Sequence, residues 1–255
     1  MRLRTAIFCV ITSIICSCGG NSVKNGEESG RDSGLWRSSE ILTNSNYFSL
    51  FSDSLRDVRA QSSLAEGDSL LREMILNESY LIPNDKLLEI LRVYKRDFNS
   101  IPVAEAFADE ELAVTYLQLS RFDSVKYYAE EAGLKYKRLK IEDGVARTEM
   151  IQAAALSFSG KFDKANEHQL VALDIYKQSG DSAGIYGVLA EMSVNSFHEK
   201  QFRKSIEIAH KVLRYAESVK DSFLLGDMLN TLGNAYHQIN IDDESARYTL
   251  NNPLN

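Results

Sequence analysis

What this chain has little of narrows its function first. Its 255 residues hold three cysteines, Cys9, Cys16 and Cys18, all within the first eighteen positions. Beyond Cys18 no thiolate is left for a structural zinc site or a disulfide. Basic residues are not in excess: 29 lysines and arginines face 36 acids, a formal charge of −7 with a pI near 5.3. Holding nucleic acid normally needs a concentrated basic face, so that class of work is disfavoured. The sequence contains no HExxH, no GxSxG and no P-loop glycine pattern, which removes the commonest signatures of metalloproteases, serine hydrolases and nucleotide-binding enzymes. With 44% hydrophobic and 25% charged residues, the chain still has enough apolar content to bury a substantial core.

The amino terminus reads MRLRT, then AIFCVITSII, then CSCGG. Two arginines, an apolar run of about ten and a small-residue end are the layout of a secretory signal. The run is too short to cross a bilayer, which takes roughly 20 apolar residues. Ile15-Cys16-Ser17-Cys18 resembles a bacterial lipobox, which implies cleavage after residue 17 and a lipid on Cys18. A plain signal peptide cut near the same place is the alternative. Loss of Arg2 and Arg4 with the leader leaves 27 basic residues against 36 acidic, a formal −9. Residues 18–34, with GGNSVKNGEESGRDSG after the cysteine, have almost nothing to bury and read as a flexible tether spanning roughly 22 Å. The expected location is the cell envelope, lipid-anchored at the outer membrane or facing the periplasm.

Further along, one phrase recurs. Phe122, Phe162 and Phe202 are spaced 40 residues apart, within RFDSVKYYAEEA, KFDKANEHQLVA and QFRKSIEIAHKV. Rows of 40 begun at Ala106, Ala146, Tyr186 and Gly226 align the remainder. Column eight holds Ala113, Ala153, Ser193 and Gly233, all small; column eleven holds Tyr116, Leu156, Ser196 and Tyr236; column twenty holds Val125, Ala165, Ser205 and Ser245. Each row contains two segments of period near 3.6, split by a short polar turn such as Ser159-Gly160-Lys161. The unit is therefore an antiparallel helix pair, and the repeated phrase is its turn plus the start of its second helix. Residues 106–145, 146–185 and 186–225 form three rows, and 226–255 an incomplete fourth, whose second helix is expected from Asp242 to a stop at Pro253. Residues 35–105 do not fit the ruler, since Glu73 falls in the small column, and read as an irregular helical cap with about three helices. Pro83 and Pro102 supply helix starts there.

The pattern resembles the tetratricopeptide repeat, most closely in LNTLGNAYHQ, where Leu232, Gly233 and Tyr236 stand at the family's positions. The resemblance covers residues 106–255 and implies an all-α, right-handed α-solenoid of antiparallel helix pairs. Two departures are a 40-residue rather than a 34-residue period and the missing proline at the end of the second helix. The resemblance also implies a ligand groove lined by columns two, five, nine, twelve and thirteen of the first helices. Those columns place Arg147 at two, Met150 and Asn230 at five, Val194 and Asn234 at nine, Phe197 and His237 at twelve, and Phe158 and His198 at thirteen. Column five has no lysine, so the carboxylate clamp of some members is absent. The remaining surface, apolar at one end and amide-rich at the other, suits an extended or helical peptide.

The four histidines are His168, His198, His210 and His237. His198 and His237 occupy similar columns, with Glu191 a conceivable third ligand, but solvated or hydrogen-bonding histidines in a groove are the favoured reading and no metal is assigned. The pairs Glu110-Glu111 and Glu130-Glu131 read as solvated helix faces. No cofactor and no catalytic residue is expected. The functional expectation is a non-enzymatic, lipid-anchored scaffold for a protein or peptide, with self-association at the C-terminal repeat. The alternatives are the sensor region of a membrane transcriptional regulator, which the uncapped end suggests, and a glycan-binding lipoprotein, for which the single Trp36 is a poor platform.

Overall fold

The computed structural model describes residues 63–79 and 82–251; side chains are described only as far as residue 240, with that of Glu78 also left aside. The leader, Cys18, the tether and Pro253 lie outside the described residues. Within them the chain is all-helical, and successive helices pack against one another as in a helical repeat. It divides into two compact units meeting in sequence between Lys140 and Ile141.

The N-terminal unit contains α1 (Leu64–Glu78), α2 (Asn84–Asp97), α3 (Pro102–Gln118) and α4 (Phe122–Leu139). Helix α1 opens on a capping box, the Ser63 hydroxyl accepting from the Glu66 amide while the Glu66 carboxylate accepts from the Ser63 amide. Pro83 precedes α2, and Pro102 stands in the first turn of α3, where its missing N–H costs nothing. Tyr94 and Phe98 of α2 are buried with their rings 5.0 Å apart, and Phe107 of α3 meets Tyr94 edge-on at 5.9 Å. These aromatic contacts hold α2 to α3.

The C-terminal unit contains α5 (Glu142–Phe158), α6 (Phe162–Ser179), α7 (Ser182–His198), α8 (Phe202–Val219) and α9 (Ser222–Asn251). Two apolar clusters fill it. Ala146, Met150, Ala172, Leu173, Tyr176 and Val188 join α5, α6 and α7. Ala190, Ala209, Val212, Ala216, Leu224, Met228 and Leu232 join α7, α8 and α9. The small columns bring backbones together: fully buried Ser193 of α7 donates its hydroxyl to the Ser205 carbonyl of α8 at 2.9 Å. Each phenylalanine of the repeated phrase is the first residue of a second helix. Phe162 stacks on His198 of the following pair at 5.9 Å, and Phe202 tilts against Phe197 at 5.6 Å.

From α3 to α8 each helix is followed by a left-handed residue. Ser120, Lys140, Gly160, Gly180, Lys200 and Lys220 all have positive φ. At five of these ends the next residue's amide reaches back to a carbonyl five positions earlier: Arg121 to Tyr116, Lys161 to Leu156, Asp181 to Tyr176, Gln201 to Ser196 and Asp221 to Ala216, at 2.8–3.0 Å. This is the Schellman closure, in which one left-handed residue lets the chain turn while the last carbonyls keep partners. The fourth row departs from expectation, because α9 runs unbroken from Ser222 to Asn251 with no turn at residues 239–241. Its sequence supplies the reason. Asp242 stands where the earlier rows have phenylalanine, and Asp242-Asp243-Glu244 offers no apolar residue to seat a second helix, so continuing the helix satisfies the backbone better.

Candidate functional site

The groove positions do not behave alike along the array. Met150 and Val194 are buried, Met150 within the α5–α6–α7 cluster. Arg147, Phe158 and Phe197 are half-buried, and the Arg147 guanidinium donates to Asp143 one turn earlier at 2.5 Å. His198 is exposed but flanked by the Phe162 and Phe197 rings, and the loss of water around its imidazole lowers its pKa. Asn230, Asn234 and His237, all on α9, are exposed, with the Asn234 amide donating to the Asn230 oxygen at 3.4 Å.

This exposure separates α9 from the equivalent helices. Column eight is fully buried at Ala113, Ala153 and Ser193, each covered by the second helix of its own pair, whereas Gly233 is open, with nothing within 4 Å of where a Cβ would stand. Column five is buried at Glu110, Met150 and Ala190 and exposed at Asn230; column eleven is buried at Tyr116 and Ser196, while Tyr236 is 47% exposed. Leu229 is 54% exposed. Helix α9 continues straight to Asn251, and among the described residues no second helix packs back on this face.

The histidines do not converge. His168 is bonded to Glu149 at 2.6 Å, His210 to the Tyr236 hydroxyl at 3.1 Å, and His198 lies among rings. Among the described residues no group of three His, Cys, Asp or Glu side chains could hold a metal ion. Nor does any described helix have the length and apolarity to cross a membrane. An open depression of about 350 Å³ beside α7 and α8 is lined by Ile185, Leu189, the stacked rings of Tyr186 and Tyr215, Lys211 and Arg214.

The buried acids were missed by sequence reasoning, and one reading is corrected. Glu110 and Glu111 are not a solvated pair; both are buried, and Glu110 accepts from the Tyr136 hydroxyl at 2.6 Å. Asp109, fully buried, binds Lys95 at 2.5 Å and also Lys135. Burial opposes the charge on Lys135, but its bonds to Asp109 and Glu105 outweigh this and hold its pKa above the usual lysine value. The partners of Asp109 and Glu110 on α4 stand 26 residues away in sequence, so no local pattern announces them. In the C-terminal unit Glu191 is buried with Oε1 lacking a hydrogen-bond partner. Burial first, and the charge of Asp227 second, push its pKa up to about 8. One turn on, buried Asn195 donates to the Gln169 carbonyl oxygen at 3.2 Å.

Glu191 is buried between helices, Asp109 is bound by two lysines, and the exposed polar groups along α9 from Asn230 to His237 are amides and an imidazole. Amides and a neutral imidazole both donate and accept hydrogen bonds, and here they lie beside exposed Leu229 and Tyr236. Comparison of the chain with protein-family models and with curated proteins found no match.

Proposed function

We propose that this chain is a non-enzymatic binding scaffold: a right-handed solenoid of 40-residue, tetratricopeptide-like helix pairs, held to the cell envelope by a lipid on Cys18 and presenting a docking face to a protein or peptide helix. The observation that carries the reading is the open face of α9. Asn230, Asn234 and Tyr236 are exposed there although most of their counterparts on the preceding first helices are buried, and exposed Leu229 lies beside them. A helix laid on this face would bury apolar surface at about 25 cal/mol per Å² while the amides satisfy polar groups at the rim.

The test is cross-linked affinity purification of the tagged chain from its own cells, beside a variant carrying Asn230→Ala, Asn234→Ala and His237→Ala. All three side chains are exposed, so the variant should fold as the parent does. A protein recovered with the parent and lost with the variant is the expected result. Equal recovery from both would sink the assignment of α9 as the docking face.

A further inference from the structure

The depression beside α7 and α8 combines apolar walls with an unanswered charge. Ile185 and Leu189 line it together with the rings of Tyr186 and Tyr215, which stack at 4.1 Å with 9° between their planes. Lys211 and Arg214 of α8 supply its cations. The Lys211 ammonium donates to Glu207 one turn earlier at 2.7 Å. The exposed Arg214 guanidinium has neither a hydrogen bond nor an ion pair among the described residues, and the two phenol hydroxyls have no hydrogen-bond partner there. Burial first, then the charges of Asp181 and Asp221 before α7 and α9, hold the Tyr215 hydroxyl above the ordinary phenol pKa, so it keeps its proton and can donate.

The corresponding places in the other helix pairs, 40 and 80 residues earlier, are filled differently. In the α3–α4 pair Glu105 and Asp109 stand where α7 has Ile185 and Leu189, and Lys135 stands where α8 has Tyr215; both acids bind that lysine. In the α5–α6 pair Glu149 takes the place of Leu189 and bonds to His168 at 2.6 Å, while Val171 and Asp174 take the places of Lys211 and Arg214. The α7–α8 pair thus sets its cations opposite an apolar wall, with no acid on the facing helix at either position. In a chain of net charge −7 the overall field does not draw anions in, so a ligand here must be held by local contacts. A carboxylate that also carries a flat apolar body meets both: charge-assisted hydrogen bonds from Arg214 and burial of its ring against the aliphatic and aromatic lining. The volume of about 350 Å³ lies at the low end of small-molecule sites, roughly 300–1,000 Å³, and suits a body of one or two rings.

We infer that this depression binds a small aromatic acid, its carboxylate on the Arg214 guanidinium and its ring against Ile185, Leu189 and the tyrosine pair. The residues belong to α7 and α8, and the inference does not depend on the reading of α9 as a docking face.

The test is isothermal titration of the full chain with naphthalene-2-carboxylate and, separately, with its neutral analogue naphthalene-2-carboxamide. The parent is compared with Arg214→Gln and with Arg203→Gln, a change at another exposed arginine of α8 outside the depression. Both side chains are exposed, so both variants should keep the fold, and thermal melts check this. The expected result is one carboxylate bound per chain, with affinity about tenfold lower for Arg214→Gln and for the carboxamide, and unchanged for Arg203→Gln. No binding of the carboxylate at millimolar concentration overturns the inference. Equal affinity of the parent and Arg214→Gln overturns it as well, and so does a carboxamide bound as tightly as the acid. An equal loss in the two arginine variants would show attraction by the general charge of α8, and would equally overturn a site at Arg214.

Discussion

The two units place carboxylates in their interiors under opposite conditions. In the N-terminal unit every hydrogen-bonded buried acid named here meets a cation or a phenol: Asp68 meets Arg72 and Tyr94, Asp109 meets Lys95 and Lys135, and Glu110 meets Tyr136. In the C-terminal unit Glu191 has an unpartnered oxygen and a nearby like charge, so it holds its proton at neutral pH. Its core is instead fitted by exchange of volume. Tyr176 packs over Gly184 at one junction, and at the next the same two places are taken by Ala216 and Leu224, both buried. A repeat can therefore keep the sum of volumes at a junction while changing both residues, whereas a buried charge needs its own partner.

The largest effect should come from cutting the charge network. Asp109→Ala leaves Lys135 and Lys95 without their buried partner and is expected to destabilise the N-terminal unit by about 3–5 kcal/mol, read as a lower denaturant midpoint. A change under 1 kcal/mol would mean that the lysines are as well served by water, and the contrast between the units would collapse.

Next in size is the volume exchange. A Cβ on Gly184 would stand 2.4 Å from the Tyr176 ring, so Gly184→Leu should cost about 3 kcal/mol. Adding Tyr176→Ala reproduces the Ala216/Leu224 arrangement and should recover most of that loss. A double variant no more stable than the single one would show that the two junctions are not interchangeable.

Glu191 makes a prediction of opposite sign. Its folded pKa of about 8 lies well above the ordinary glutamate value of 4.5, so the folded state holds a proton that the unfolded state releases. Stability is fully present below about pH 4.5 and is lost as pH rises toward 8, by up to about 1.4 kcal/mol per unit. Glu191→Gln should flatten that slope, so that the variant gains on the parent steadily as pH rises toward 8. Parallel stability–pH curves for the two proteins across this range would refute the neutral-acid assignment.

The smallest effect concerns the helix ends, where the units agree. Lys140, Lys200 and Lys220 adopt the left-handed conformation that Gly160 and Gly180 adopt without strain. Lys200→Gly should stabilise by a few tenths to about 1 kcal/mol, and Gly160→Ala should destabilise by a similar amount. The same sign for both changes would indicate that φ is not what these positions select.

The secondary structure was legible because it is local. The turn Ser159-Gly160-Lys161, the phenylalanines that open second helices and the small residues Ala113, Ala153, Ser193, Ala165 and Ser205 stand where the pattern put them, whereas Gly233 on the straight α9 lies open. Each reports a constraint set within one helix pair: a left-handed turn, a gap to fill, a close backbone approach. The groove was less legible. A column number says which way a residue points on its helix, but whether that direction is buried depends on the next helix. Met150 and Val194 are covered, while Asn230 and Asn234 are not.

The sequence by itself determined that this protein is built of helix pairs, where most of those helices begin and turn, and that no familiar catalytic motif is present. Only the tertiary structure decided which acids are buried, which partners neutralise them, that Glu191 has none, and that α9 runs straight and leaves its face open. The physical reason is distance along the chain. Helix signals are carried by residues three or four apart, whereas the pairings of Asp109 with Lys135 and Glu110 with Tyr136 join residues 26 apart. Burial is a property of what packs from outside the helix.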